Sequence, residues 1–321
     1  MTLDDIILKL SDPGLRIPWL WEWLKNDVWS VQRYTNLKTD DYLREGERQV
    51  CALEDVIASA ADRTYLELVQ KNLSGRSILE MLKDHQTAVI VFDGLSIREM
   101  PLIETLSNKS GFRILESGYA VASVPSETLE FIHQNLSLEN VGPSQLPTRR
   151  ELKEKGIKVV YAESSSASPN LDYKEPLLVW SAFPDNKYLD SDARFAEHFG
   201  NIHTLFESAW INLVQGVRGK RRIVITSDHG YIYFGTGLDV QRSNKDQKIL
   251  NDYFGNDRNK VISNGPVPNQ NDIYLDAARN VAVIKGRVKT RSTGAAAQKL
   301  YKHGGLSLME MLVPWVVLEI S

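Results

Sequence analysis

Only one cysteine, Cys51, occurs in the 321 residues, so no internal disulfide can form and no CxxC pair is present to grip a metal through thiolates. No run approaches the roughly 20 apolar residues that a membrane helix needs. The first ten residues, MTLDDIILKL, carry acids where a secretory signal carries basic residues, and their apolar run is short and interrupted. These three absences point to the cytoplasm, without a membrane. An excess of positive charge is also lacking: 38 Lys and Arg stand against 41 Asp and Glu, a net charge of −3. No global field draws in a polyanion, so strong nonspecific binding of duplex DNA is not expected, and any nucleic-acid contact has to be local. Internal repeats and low-complexity tracts are missing too. What remains is ordinary globular usage, 42% apolar and 25% charged, which excludes disorder, collagen and coiled coil.

The length allows two domains, or one large α/β domain with an attached piece. Up to about residue 85 the apolar residues recur at three- and four-residue spacing, as in WLWEWLKNDVW and DYLREGERQVCALEDVIASAA, with no convincing strand. Residues 1–85 therefore read as a helical subdomain. Trp19, Trp21, Trp23 and Trp29 cluster there, either as packing or as a docking surface. From residue 86 to residue 321 short β-branched runs (AVIVF, FRIL, IKVVY, PLLVWSAF, RRIVITS, VAVI) alternate with helical patterns. Runs without polar alternation are buried on both faces, which predicts an α/β fold with a mostly parallel sheet sandwiched by helices. Residues 236–275 are polar and rich in Asn, Gly and charge, and are expected to form an insertion or long loop near the site or on the surface.

Ligands of such a sheet bind beyond the carboxyl ends of its strands. Two strands end there in an acid and a glycine: VIVFDG at Asp93 and VITSDHG at Asp228 and His229. A third stretch, KHGGLSLMEMLVPW, places His303 before two glycines and then opens a helix with Ser307 and Glu310 at capping-box spacing. Carboxylate and imidazole together suit zinc or a comparable first-row metal. In ASVPSETLEFIHQNL, Pro125 and Ser126 lead into a helix with Thr128 in its first turn, where backbone N–H groups and the helix dipole favour a phosphate. A metal beside that hydroxyl would make it a nucleophile. Taken singly, Asp93–Gly94 is equally a plain turn, Thr128 a helix-start residue and His303 part of a tight loop. Two polar residues at the end of a strand, Asp228 and His229, are harder to dismiss.

Acid, hydroxyl, Asp-His, then His, each at a junction between strand, loop and helix, is the order of the alkaline phosphatase superfamily. Within it, VIVFDGLSIRE, VPSET, VITSDHGYIY and HGGLSLMEMLVPW resemble blocks of the PglZ family. The resemblance covers roughly residues 86–320. It implies an alkaline phosphatase-like domain with one metal held by Asp93, Asp228, His229 and the Thr128 oxygen. It implies a second metal held by His303 and an acid after LLVWSAF, for which Asp185 is chosen. Superfamily members usually offer a histidine four residues after that acid. Here the position is Leu189, and Asp190 is the expected stand-in, with His198 and His203 as further candidates on a helix that could equally use them in packing.

What the resemblance implies for chemistry is phosphodiester hydrolysis of a nucleotide or oligonucleotide, with Zn2+ (one or two ions, or Mn2+) as cofactor and Thr128 attacking phosphorus. Lys302 and Arg98 are the cations expected to meet non-bridging oxygens. PglZ-like proteins are associated with phage-defence systems of the BREX type, so defence-system protein partners are expected. Two rivals stay open: a non-catalytic module that assembles a defence complex, and a transferase or isomerase acting on phosphorylated sugars.

Overall fold

The segment TAVIVF leaves no polar stripe for solvent, and all six of its residues are buried, with Ala88, Ile90 and Phe92 facing one apolar cluster and Val89 and Val91 another. Alternate side chains of a strand point to opposite faces, so this strand has to lie inside a sheet covered on both sides. The computed structural model describes residues 3–73, 76–188, 195–263, 265–290 and 300–320. Among them the strands in chain order are β1 (Thr87–Phe92), β2 (Phe112–Val121), β3 (Lys158–Ala162), β4 (Leu177–Ser181), β5 (Arg222–Thr226) and β6 (Ile232–Tyr233). They continue as β7 (Asn259–Val261), β8 (Ile273–Asp276), β9 (Val281–Ile284), β10 (Tyr301–Lys302) and β11 (Leu312–Ile320).

The main sheet has the order β2-β11-β5-β1-β4-β3. β1 runs parallel to β4 and β5, and β3 parallel to β4, whereas β11 runs antiparallel to both its neighbours. The fold is thus a mostly parallel α/β sheet between helical layers. The chain order reverses at β1, which puts a crevice beyond the carboxyl ends of β1, β4 and β5.

The first 73 residues are helical where described, with Thr39–Ala60 the longest helix. They do not stand apart from the sheet. Trp21, Trp29, Tyr42, Leu53 and Ile57 belong to the same apolar cluster as Ile90, Ile225 and Leu318. Two of the four clustered tryptophans, Trp21 and Trp29, are therefore core residues rather than a surface.

Three expectations are corrected. Residues 236–275 are not one long loop: they carry a helix, Asn244–Phe254, and strands β7 and β8, which sandwich β9 in a small antiparallel sheet. The polar composition hid a separate small core, in which Leu250 and Phe254 meet Ala282 and Ile284. VAVI (β9) accordingly belongs to that small sheet and not to the main one. Finally, the helix after His303 is a single turn, Leu308–Met311, and the apolar run that follows is β11, inserted between β2 and β5. Periodicity cannot separate a fully buried strand from a buried helix in so short a run.

Candidate metal centre

β1 and β5 deliver the first group of ligands. Asp93 continues β1, its N–H bonded to the Ser181 carbonyl on β4 at 2.9 Å. Asp228 lies two residues beyond β5, and its Oδ1 accepts the N–H of Gly94 at 3.1 Å and that of His229 at 3.0 Å. Gly94 has φ +73°, a conformation that lets the chain turn after Asp93 and present that N–H. The Ser227 hydroxyl donates to the carbonyl of Phe92, at 2.7 Å, and accepts the N–H of Leu95 at 2.9 Å, locking the two strand ends together. Gly230 is needed for a different reason: a Cβ there would lie 2.1 Å from the Met309 carbonyl oxygen.

His229 is fully buried and sits 3.6 Å by its Nε2 from both Asp93 Oδ1 and Asp228 Oδ2. Its Nδ1 lies 3.0 Å from the Gly230 carbonyl oxygen, which can only accept, so Nδ1 carries a proton and Nε2 faces the carboxylates. Burial works against a charged imidazole, but Asp228, Asp185 and Asp93 outweigh it and push the pKa up to about 9. Asp93 is raised well above the usual carboxylate range, first by burial and then by the charge of Asp228. Its Oδ2 is 3.4 Å from the Trp180 indole N–H, while its Oδ1 is buried with no hydrogen-bond partner.

The second group forms around His303. Its Nε2 is 4.0 Å from Asp185 Oδ1, and its ring stacks on that of His229 with centroids 4.0 Å apart and planes 11° from parallel. Asp185 follows β4 and is tied to β1 through its N–H, which donates to the Asp93 carbonyl at 2.9 Å. Asp93, Asp228 and His229 offer ligand atoms within 4.8 Å of one another, as do Asp185, His229 and His303, so His229 lies between the two groups. The donor set fits divalent ions. Two buried carboxylates and an imidazole, with one oxygen unsatisfied, have too little positive charge around them unless a cation or a proton supplies it. Mixed carboxylate and imidazole donors are those of zinc and its first-row neighbours.

Thr128 is the first residue of the helix Thr128–Leu136, as its spacing from Pro125 and Ser126 predicts. Its hydroxyl donates to Asp228 Oδ2 at 2.7 Å and lies 3.5 Å from His229 Nε2. The five described candidates Asp93, Thr128, Asp228, His229 and His303 thus converge with Asp185 on one sheet edge. Asp190, and Leu189 before it, lie outside the described residues.

Arg98 is not brought to this site. It is fully buried, with its guanidinium on Glu47 at 2.5 Å, on the Tyr231 carbonyl at 3.0 Å and over the Tyr231 ring. A cation enclosed in that way cannot meet a substrate. Lys302 lines the cavity beside the ligands and donates to the Asn256 carbonyl at 2.5 Å. His198 and His203 are packing residues: His198 lies against the rings of Tyr188 and Tyr301, and His203 bonds Tyr34 through Nδ1 at 3.0 Å. The structure also adds residues that the pattern of strand ends did not single out, notably Glu127 and Asn259. The only signal in the sequence was the place of Glu127 next to Thr128.

A cavity of about 580 Å³ opens beside the second group, lined among others by Glu127, Asp185, Tyr301, Lys302 and His303, with Phe254 and Asn256 contributed by the region around the small sheet. No helix among the described residues is long and apolar enough to cross a membrane.

No protein-family model and no curated protein matches the sequence. Solved structures of similar fold include phosphonoacetate hydrolase from Sinorhizobium meliloti 1021 with phosphonoacetate (13% identity, 72% of this chain and 89% of that one, TM-score 0.39). Another is murine ectonucleotide pyrophosphatase/phosphodiesterase 5 (12% identity, 72% of this chain and 87% of that one, TM-score 0.42). An inactive form of that murine protein in complex with AMP matches at 11% identity over the same shares, with a TM-score of 0.41.

Proposed function

We propose that this protein is a metal-dependent phosphoryl hydrolase, and within that class a phosphodiesterase of nucleotide or oligonucleotide substrates with Thr128 as nucleophile. The observation that carries the proposal is the Thr128 hydroxyl at a helix start, 2.7 Å from Asp228 Oδ2 and 3.5 Å from His229 Nε2, beside two groups of metal donors. Asp93, Asp228 and His229 would hold one ion, and Asp185 and His303, with His229 between the groups and Asp190 as an added acid, the other. Zinc is the proposed metal, with manganese as the alternative. When bound, such ions withdraw charge from phosphoryl oxygens and orient them for in-line displacement.

The chain's own part follows from the geometry. Thr128 Oγ1 attacks phosphorus, the bond to the leaving oxygen breaks, and a phosphothreonine results that water then hydrolyses. The hydroxyl proton already lies on the bond to Asp228, the acceptor nearest the nucleophile. The helix that Thr128 opens directs its unpaired N–H groups toward the incoming anion, and Lys302 is placed at the cavity wall to meet a non-bridging oxygen. The four motifs that resemble the PglZ family support a role in phage defence beside protein partners.

Metal content measured by mass spectrometry, together with hydrolysis of bis-p-nitrophenyl phosphate in added zinc or manganese, tests the proposal. Wild type is expected to hold metal and cleave, Asp228→Ala to lose both, and Thr128→Ala to keep metal while turnover falls on the order of 10³-fold or more. A wild type that takes up no metal and stays inactive with every ion would leave a non-catalytic scaffold module.

A further inference from the structure

Ser126, Glu127 and Thr128 meet His303, Gly304 and Gly305 across 175 residues or more of chain, in a set of contacts that the chemistry proposed above does not use. The Ser126 hydroxyl donates to the Gly305 carbonyl at 2.9 Å and accepts the Gly304 N–H at 2.9 Å. His303 Nδ1 lies 3.2 Å from the Ser126 carbonyl oxygen and 3.4 Å from Glu127 Oε2. The carbonyl can only accept, so the proton of a neutral His303 ring sits on Nδ1, and the lone pair on Nε2 is turned toward Asp185. Glu127 Oε1 in turn accepts from the Asn259 side-chain amide at 2.9 Å, and the same amide reaches the Gly304 carbonyl at 3.2 Å.

Gly304 makes room for this pair. Its φ is +95°, and a Cβ there would lie 2.4 Å from Glu127 Oε1 and 2.5 Å from Asn259 Nδ2. A glycine that both turns the chain and admits two polar side chains shows that the carboxylate is held against this loop on its Nδ1 side. Glu127 is not itself near enough to the other donors to join either ligand group.

We propose that Glu127 is the positioning residue of His303: it fixes the ring so that Nε2 is presented to the second metal, and Asn259 of the small sheet holds Glu127 in turn. The proposal rests on the two-ion reading of the site. A carboxylate on the far nitrogen of a ligating histidine sets its tautomer and orientation and raises its basicity, and loss of such partners weakens metal binding about 10–100-fold. Because Glu127 and Thr128 are neighbours in the chain, the nucleophile and the second ion would be set by one piece of backbone.

Zinc titration of metal-free full-length protein by calorimetry, with chelator competition for the tight site, reads the two sites apart. Wild type is expected to take up two equivalents. Glu127→Ala is expected to weaken one site about 10–100-fold and leave the other unchanged. Glu127→Gln, which keeps an acceptor without the charge, should lie between, and Asn259→Ala should weaken the same site less. Both sites unchanged in Glu127→Ala, or both weakened equally, would overturn this role while leaving the proposed hydrolase intact. A wild type that binds no zinc would instead remove the two-ion reading and this role with it.

Discussion

At the scale of single residues, the site is expensive for the metal-free fold. Asp93 and Asp228 are buried side by side, and burial followed by the Asp228 charge raises the Asp93 carboxyl well above its ordinary range. A carboxyl whose folded pKa is raised binds its proton more tightly in the folded state, so its ionisation lowers stability as pH climbs past the ordinary carboxylate range. Asp93→Asn is therefore expected to raise the thermal midpoint of the metal-free protein at pH 8, by an amount corresponding to about 1–3 kcal/mol, and to abolish zinc uptake. Unfolding followed by circular dichroism with and without chelator checks both halves. An Asn variant no more stable than wild type without metal would mean that the buried carboxylate is already compensated.

Among secondary-structure elements, the helix Phe195–Ala209 is docked partly through polar groups. His203 bonds the Tyr34 hydroxyl and packs on Phe199, and burial lowers its pKa to about 3. Here the folded pKa lies below the unfolded value, so the folded state binds fewer protons. The docked helix is fully stabilised above about pH 6.5 and is weakened as pH falls from there toward 3, at up to about 1.4 kcal/mol per pH unit. His203→Phe should flatten the fall in thermal midpoint between pH 6.5 and pH 4 that wild type shows. An equal fall in both proteins would assign the acid sensitivity to other groups. The neighbouring element Thr39–Ala60 was legible as a helix from its apolar spacing, but two of its charges were not legible as internal. Glu47 bonds Arg98 and Arg287, and Glu54 accepts the Leu308 N–H at 2.6 Å, all deep in the protein. A helix pattern shows which face is apolar; it does not show that an acid on that face will meet an arginine from 51 or 240 residues away.

For the whole molecule, those two acids decide how the first 85 residues relate to the rest. Arg98, Arg287 and Glu47 are each fully enclosed, and removing one partner of such a set leaves an uncompensated charge that costs about 3–5 kcal/mol. A chain beginning at residue 86 would lose Glu47 together with the core side chains Trp21, Trp29 and Tyr42. It is expected to be insoluble, while the full chain should unfold in one cooperative transition. A soluble fragment 86–321 that melts cooperatively would establish the boundary at residue 85 as one between independent domains.

The sequence by itself determined which chemistry is available and where along the chain it sits. Apolar runs that stop at Asp93 and at Asp228–His229 end at the carboxyl edge of a sheet because strands buried on both faces leave no other place for charge. Thr128 opens its helix because Pro125 and Ser126 are suited to precede one. Composition and local period carry that much, since both depend on neighbours a few residues apart. Tertiary structure alone decided the rest. Arg98 looked like a cation beside the Asp93 turn, yet its guanidinium is turned inward to Glu47. The polar stretch around Asn259 looked like a surface loop, yet it folds on its own small core and reaches Glu127. The run after Leu312 looked helical at its start, yet a gap between β2 and β5 draws it into the sheet. In each case the deciding partner lies far away in the chain, and burial, charge pairing and strand pairing act only once the fold has brought the two together.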